Sequence, residues 1–164
     1  MTTNPTTVTA EPGTPFIDIV RDFDAPPELV FRAYTDRDLV AKWLGPRAYE
    51  MVVDHYDART GGSYAYTHRD AQGGEFGFHG TFHSIAPDQV VQTFEFDGYP
   101  GHVALESVRF EALDDGRTRA TTHSVYQSVE DRDGMVASGM EGGLTEGYER
   151  LDELLPTLVT TSAG

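Results

Sequence analysis

The chain has 164 residues, Lys+Arg of 12 against Asp+Glu of 27, a formal charge of −15, six histidines and no cysteine. That length supports one domain with a sizeable core, and so acidic a chain, with Lys42 its only lysine, offers nucleic acid and anionic membrane almost nothing to bind. The lack of cysteine excludes disulfides, thiol nucleophiles and thiolate metal sites, and fits a cytoplasmic protein.

Residues 1–14, rich in Thr and Pro, hold neither a basic start nor an apolar run, and no stretch reaches the length that spans a bilayer. They read as a flexible tail, as do residues 159–164, leaving a single domain over 15–158. The run 16–23 is the first strand. Period two puts Ile17, Ile19, Arg21 and Phe23 on its inward side and Phe16 and Val20 on the other.

Asp24-Ala25-Pro26-Pro27-Glu28 starts a short helix carrying Leu29, Val30, Phe31 and Tyr34. Asp36 starts a second, with Leu39, Val40, Trp43 and Leu44 at helical spacing, and Gly45-Pro46 stops it. Strands follow over about 48–58, 62–69, 75–85, 89–96, 102–113 and 117–127, separated by short glycine- and Asp-rich turns. Connections this short imply an antiparallel meander, because parallel pairs need a long crossover. Tyr64, Tyr66, Phe76, Phe78, Phe82, Phe94, Phe96, Val108 and Phe110 are the predicted inward residues.

The last element is predicted as one amphipathic helix over about 131–155, with Val136, Met140, Leu144, Tyr148, Leu151 and Leu155 in one stripe, Ser128 as its cap and Pro156 at its end. Gly139, Gly143 and Gly147 form a second stripe beside the first. Glycine costs about 1 kcal/mol relative to alanine inside a helix. Either a neighbouring backbone packs closely there or the groove makes room for a ligand. The fold class is α+β, a curved antiparallel sheet closed over a long C-terminal helix, with two short helices after the first strand.

Several stretches carry a resemblance over 16–155: Ala25-Pro26-Pro27-Glu28-Leu29-Val30-Phe31, Lys42-Trp43-Leu44-Gly45-Pro46, Arg59-Thr60-Gly61-Gly62 leading to Tyr64 and Tyr66, and Gly139-Met140-Glu141. Their order resembles the bacterial START-like helix-grip (SRPBCC) proteins, in the branch named after the activator of the heat-shock protein 90 ATPase. The resemblance implies an apolar cavity between sheet and C-terminal helix. Family members include small-molecule carriers, polyketide cyclases and proteins that sequester reactive metabolites, so fold does not settle function.

Glu106 is the most informative polar residue, because the strand period that turns Val108 and Phe110 inward turns Glu106 inward too. A carboxyl there anchors a ligand or works as an acid/base; the bland alternative is a strand end meeting solvent or an arginine. His68, on the face of Tyr64 and Tyr66, is the accompanying catalytic candidate or a rim residue. Trp43, Tyr64, Tyr66, Phe78, Phe94 and Phe96 are candidate ligand contacts from the first half of the chain and the sheet, Trp43 being read first as an anchor for its helix. Met140, Gly143, Leu144 and Tyr148 are the candidates on the last helix. His79 and His83 share a strand face about 13 Å apart, too far to chelate one ion, and sit opposite Phe78 and Phe82, hence facing solvent. No metal site and no cofactor are expected.

The leading reading is binding of a hydrophobic small molecule between sheet and C-terminal helix. A cyclase- or hydrolase-like enzyme using Glu106, and a co-chaperone-type interaction module, are the alternatives. A homodimer is left open.

Overall fold

The structure, a computed structural model, describes residues 4–158. In chain order the elements are β1 (Thr6–Thr9), β2 (Phe16–Phe23), α1 (Pro27–Thr35), α2 (Arg37–Trp43), β3 (Glu50–Tyr56), β4 (Ser63–Arg69) and β5 (Glu75–Ala86). β6 (Gln89–Phe96), β7 (Val103–Ala112), β8 (Thr118–Val125), α3 (Val129–Ala137) and α4 (Met140–Leu154) follow, and a 3-10 turn, Leu155–Thr157, ends the described chain. Among the described residues the strands form one antiparallel sheet of eight, ordered β1-β2-β8-β7-β6-β5-β4-β3. The meander from β3 to β8 is the one the short turns demand. β2 and β3, consecutive in the longer pattern, lie far apart in the sheet, so α1 and α2 carry the chain across its concave face.

Part of the expected N-terminal tail is ordered structure instead. Thr6–Thr9 pairs with β2, Thr7 opposite Val20 and Val8 opposite Ile19. A Thr-rich segment of middling hydropathy becomes a strand because β2 presents an open row of backbone donors and acceptors. The expected tail over 159–164 lies outside the described residues.

β2 alternates as expected, burying Ile17, Ile19, Arg21 and Phe23. Arg21 is 1% exposed, and its guanidinium donates to both carboxylate oxygens of Asp152 on α4, at 2.9 and 2.6 Å. It also stands 4.9 Å over the Phe23 ring centroid. Such a charge is tolerable inside only when paired in this way. The pair fastens α4 to the first half of the chain.

α1 starts within the expected Asp24–Glu28 stretch, with Pro26 at the N-cap and Pro27 in the first turn. Asp36 caps α2, its Oδ1 accepting from the Asp38 and Leu39 N–H groups at 2.9 and 3.4 Å. Trp43 is buried and donates from Nε1 to the Ala33 carbonyl at 2.9 Å. It therefore locks α2 onto α1.

The expected single C-terminal helix is two helices. Ser128 Oγ accepts from the Asp131 N–H at 3.0 Å and starts α3. Gly139 then adopts φ +83°, a left-handed conformation that side-chain-bearing residues avoid, and α4 begins at Met140. The break throws Val136 out of the stripe and leaves it 45% exposed, while Tyr148, Leu151 and Leu155 stay buried.

The break also changes the meaning of the glycines. A Cβ on Gly147 would lie 3.2 Å from both the Gly45 nitrogen and the Trp43 carbonyl oxygen, and one on Gly143 would lie 3.1 Å from Pro46 Cγ. The turn after α2 thus rests directly on α4. Arg150 holds it there, donating to the Lys42 carbonyl at 2.7 Å and the Gly45 carbonyl at 3.1 Å. Of the two reasons for the stripe, close packing is the one found at Gly147; at Gly143 the neighbour is the Pro46 ring.

Candidate functional site

Antiparallel pairing sets Gln92 opposite Glu106 and Glu106 opposite Ser124, so three polar side chains form one row across the concave face of β6, β7 and β8. The row continues into apolar residues at both ends, with Phe82 opposite Gln92 and Ile17 opposite Ser124, each 1% exposed. Gln92 Nε2 donates to Glu106 Oε1 at 3.3 Å and to the Tyr64 hydroxyl at 3.5 Å, and Tyr64 itself donates to the Thr93 carbonyl at 2.6 Å. The polar row is therefore tied into the aromatic wall.

Glu106 is partly buried, and burial pushes its carboxyl up to about 7 against the opposing pull of hydrogen bonds from Gln92 and Ser124. No cation contributes among the described residues. The ionisable groups near it are tyrosines: Tyr56 from β3, Tyr64 and Tyr66 from β4, Tyr126 after β8 and Tyr148 from α4. Burial raises all five phenols, and the Glu106 charge raises them further; Tyr148 is pushed up to about 12. At neutral pH the carboxyl sits near its midpoint beside neutral hydroxyls.

Of the residues expected at the site, Tyr64 and Tyr66 are buried and stack on each other at 5.9 Å. Phe78 continues this wall, 5.4 Å from Tyr66 and 5.3 Å from both Phe94 and Phe96. Phe78, Phe94 and Phe96 remain partly exposed on the inward face, as do Met140 and Leu144 on α4. Phe78, Met140 and Leu144 pack against the edge of the buried core. Phe76, expected inward, is 38% exposed; it lies two residues before Phe78, toward the start of β5, and makes a T-shaped contact with Tyr49 at 5.8 Å.

Trp43 and Tyr148 are core residues, their rings stacked at 6.4 Å. His68 is packed between Tyr49, Tyr66 and Phe78, under Gly45, whose Cβ would strike the imidazole at 2.5 Å. Its Nε2 is buried without a hydrogen-bond partner, and burial lowers its pKa. No hydrogen bond among the described residues joins His68 to Glu106. His79 and His83 are exposed, as their opposition to Phe78 and Phe82 requires, and His79 bonds Asp97 through Nδ1 at 2.5 Å.

Gln92, Ser124 and Tyr126 escaped the sequence reading. Period two counted back from Phe94 and Phe96 finds Gln92, but only strand register reveals that it and Ser124 flank Glu106. Elsewhere, His55 bonds Asp54 at 2.8 Å and Ser63 Oγ at 3.0 Å. Asp54 and His55 are exposed and Ser63 is half-buried, and the adjacent Gly61 and Gly62 N–H groups are spent on the Phe82 and Arg59 carbonyls, so neither serves as an oxyanion donor. Two surface pockets, of about 230 and 400 Å³, lie beside His102 and Asp131 at the start of α3 and beside Thr81, His83 and Leu105 on the convex face. Among the described residues no group of three or more metal-ligating side chains is assembled, and no helix is long and apolar enough to cross a membrane.

The profile of the family described as Activator of Hsp90 ATPase homolog 1-like protein matches residues 24–156. Among curated proteins none matches the chain. A crystal structure of a protein from Rhodobacter sphaeroides superposes with a TM-score of 0.85 at 24% identity, covering 94% of this chain and 100% of that one. A solution structure of a protein from Arthrobacter aurescens gives 0.83 at 26% identity, covering 94% and 93%. A crystal structure of a Mycobacterium smegmatis protein gives 0.81 at 24% identity, covering 93% and 99%.

Proposed function

The chain belongs to the activator of Hsp90 ATPase homolog 1-like family, and on that premise we propose that it binds a hydrophobic small molecule between the concave face of the sheet and α4. The observation that carries this reading is Glu106, a carboxyl held among aromatic side chains by Gln92 and Ser124 among the described residues. An acid placed so costs stability unless something else uses it. The partly exposed Phe78, Phe94 and Phe96 of the sheet and Met140 and Leu144 of α4 are the proposed apolar contacts, and Glu106 the polar anchor that fixes orientation. A cytoplasmic setting is proposed with it, on the acidic, cysteine-free composition.

Native mass spectrometry of the purified chain tests the binding directly, with an unchanged apolar molecule as the expected adduct. Displacement of an apolar fluorescent dye gives the same test for added ligands. A protein that neither carries nor takes up any apolar molecule refutes the reading.

One observation favours a second reading. A carboxyl poised at about 7 is matched to proton transfer at neutral pH, which suits a cyclase- or hydrolase-like enzyme with Glu106 as acid or base. In that case the bound molecule is converted, and Glu106→Gln abolishes turnover while leaving affinity in place.

A further inference from the structure

The binding reading leaves the ligand's class open, and the charges around Glu106 narrow it. Facing the carboxyl are Tyr56 from β3, Tyr64 and Tyr66 from β4, Gln92 from β6, Ser124 and Tyr126 on and after β8, and Tyr148 from α4, all uncharged at neutral pH. The buried cation beyond Tyr148, Arg21, is committed to both oxygens of Asp152. The second buried cation, Arg132, donates to Asp133 and to the Glu11 and Phe16 carbonyls. His68, packed against Tyr66 and Phe78, has its pKa lowered by burial and so carries no charge at neutral pH. The interior therefore holds an ionisable carboxyl and an electron-rich aromatic wall with no free positive counterpart shown beside them among the described residues.

Three ligand chemistries can be set against that interior. An anionic ligand brings a second negative charge against the carboxylate in a poorly hydrated space, which like-charge repulsion penalises. A neutral ligand leaves Glu106 protonated and uses it as a hydrogen-bond donor. A cationic ligand ionises it, forms the missing ion pair, and lays its positive group against the faces of tyrosine and phenylalanine rings. The whole-molecule charge of −15 also draws cations toward the protein and repels anions.

We propose that the molecule held between the sheet and α4 is a hydrophobic organic cation, an amine or quaternary ammonium group on an apolar body, whose positive charge pairs with Glu106 within the wall of Tyr64, Tyr66 and Phe78. This inference rests on the binding reading above. It reverses the role a carboxyl near its midpoint would have for a neutral ligand, because binding removes the proton from Glu106.

Two probes of nearly identical shape separate the cases: benzyltrimethylammonium, which carries a fixed charge at every pH, and neopentylbenzene, its uncharged carbon isostere. Calorimetric titration of the full chain is expected to show tighter binding of the cation, with affinity rising about tenfold from pH 6 to pH 8 as Glu106 ionises, and binding of the isostere that does not rise with pH. In Glu106→Gln the cation is expected to lose about tenfold or more in affinity and its pH dependence, while the isostere stays within about twofold, which also shows that the variant is folded. Binding of the isostere with no preference for the cation, or cation affinity that is flat or falls with pH, overturns the inference and leaves the binding reading standing. If neither probe binds, the inference and the binding reading fall together.

Discussion

Glu106→Gln is the substitution on which the account of the interior depends, because it removes the charge and keeps the shape and the acceptor for Gln92. Glu106 is an acid whose pKa is raised on folding from 4.5 to about 7. The folded chain thus binds more protons than the unfolded chain between those values, and its stability falls as pH rises through that window. At one pKa unit per about 1.4 kcal/mol, the full loss above pH 7 is on the order of 3 kcal/mol. His68 works in the opposite sense: burial lowers its pKa, so its contribution grows as pH rises toward 6.5. Comparing wild type with Glu106→Gln cancels His68 and isolates the carboxyl. Urea unfolding followed by circular dichroism from pH 4.5 to pH 8 is expected to show the variant gaining about 3 kcal/mol on the wild type across the range. In a chain of this length that is about 6 to 12 °C in thermal midpoint. A stability difference that stays constant with pH would mean a hydrated, ordinary carboxyl, and the anchor would be gone.

The glycines of α4 should divide by what faces them. Gly142→Ala meets open space and is expected to stabilise by roughly 1 kcal/mol, whereas Gly147→Ala presses on the Gly45 and Trp43 backbone and is expected to cost roughly 1 to 3 kcal/mol; thermal melts giving both the same sign refute the packing of α4 on that turn. Asp152→Asn strips the buried Arg21 of its counter-charge and is expected to cost about 3 kcal/mol, the low end for a broken buried pair because Asp152 keeps some solvent contact. Adding Arg21→Met to it should recover most of that loss in the same melt, and a double variant no better than the single one refutes the cause. Gly139→Ala forces a side chain into φ +83° and is expected to lose about 1 to 2 kcal/mol; an unchanged denaturation midpoint would mean that α3 and α4 can join into one helix.

The local rules of the chain were legible without coordinates. Alternation in β2, β4 and β7 put Ile17, Tyr64, Tyr66, Phe110 and Glu106 inward, because an extended backbone turns successive side chains to opposite faces whatever surrounds it. Asp36 and Ser128 announced their helices because a cap bonds N–H groups only two or three residues away. Interactions that depend on distant partners were not legible. Arg21 reads as an anomaly until Asp152, 131 residues later, is brought against it. The row of Gln92, Glu106 and Ser124 exists only once two strand registers are set, and register is chosen by the sum of contacts over whole strands. Thr6–Thr9 has no strand pattern of its own and is ordered by the edge β2 offers. The glycine stripe displays its spacing in the sequence, but Gly139 breaks a helix, Gly143 meets the Pro46 ring and Gly147 seats a turn. Those three identical residues differ only in what the folded chain sets against them, and that is decided by tertiary packing.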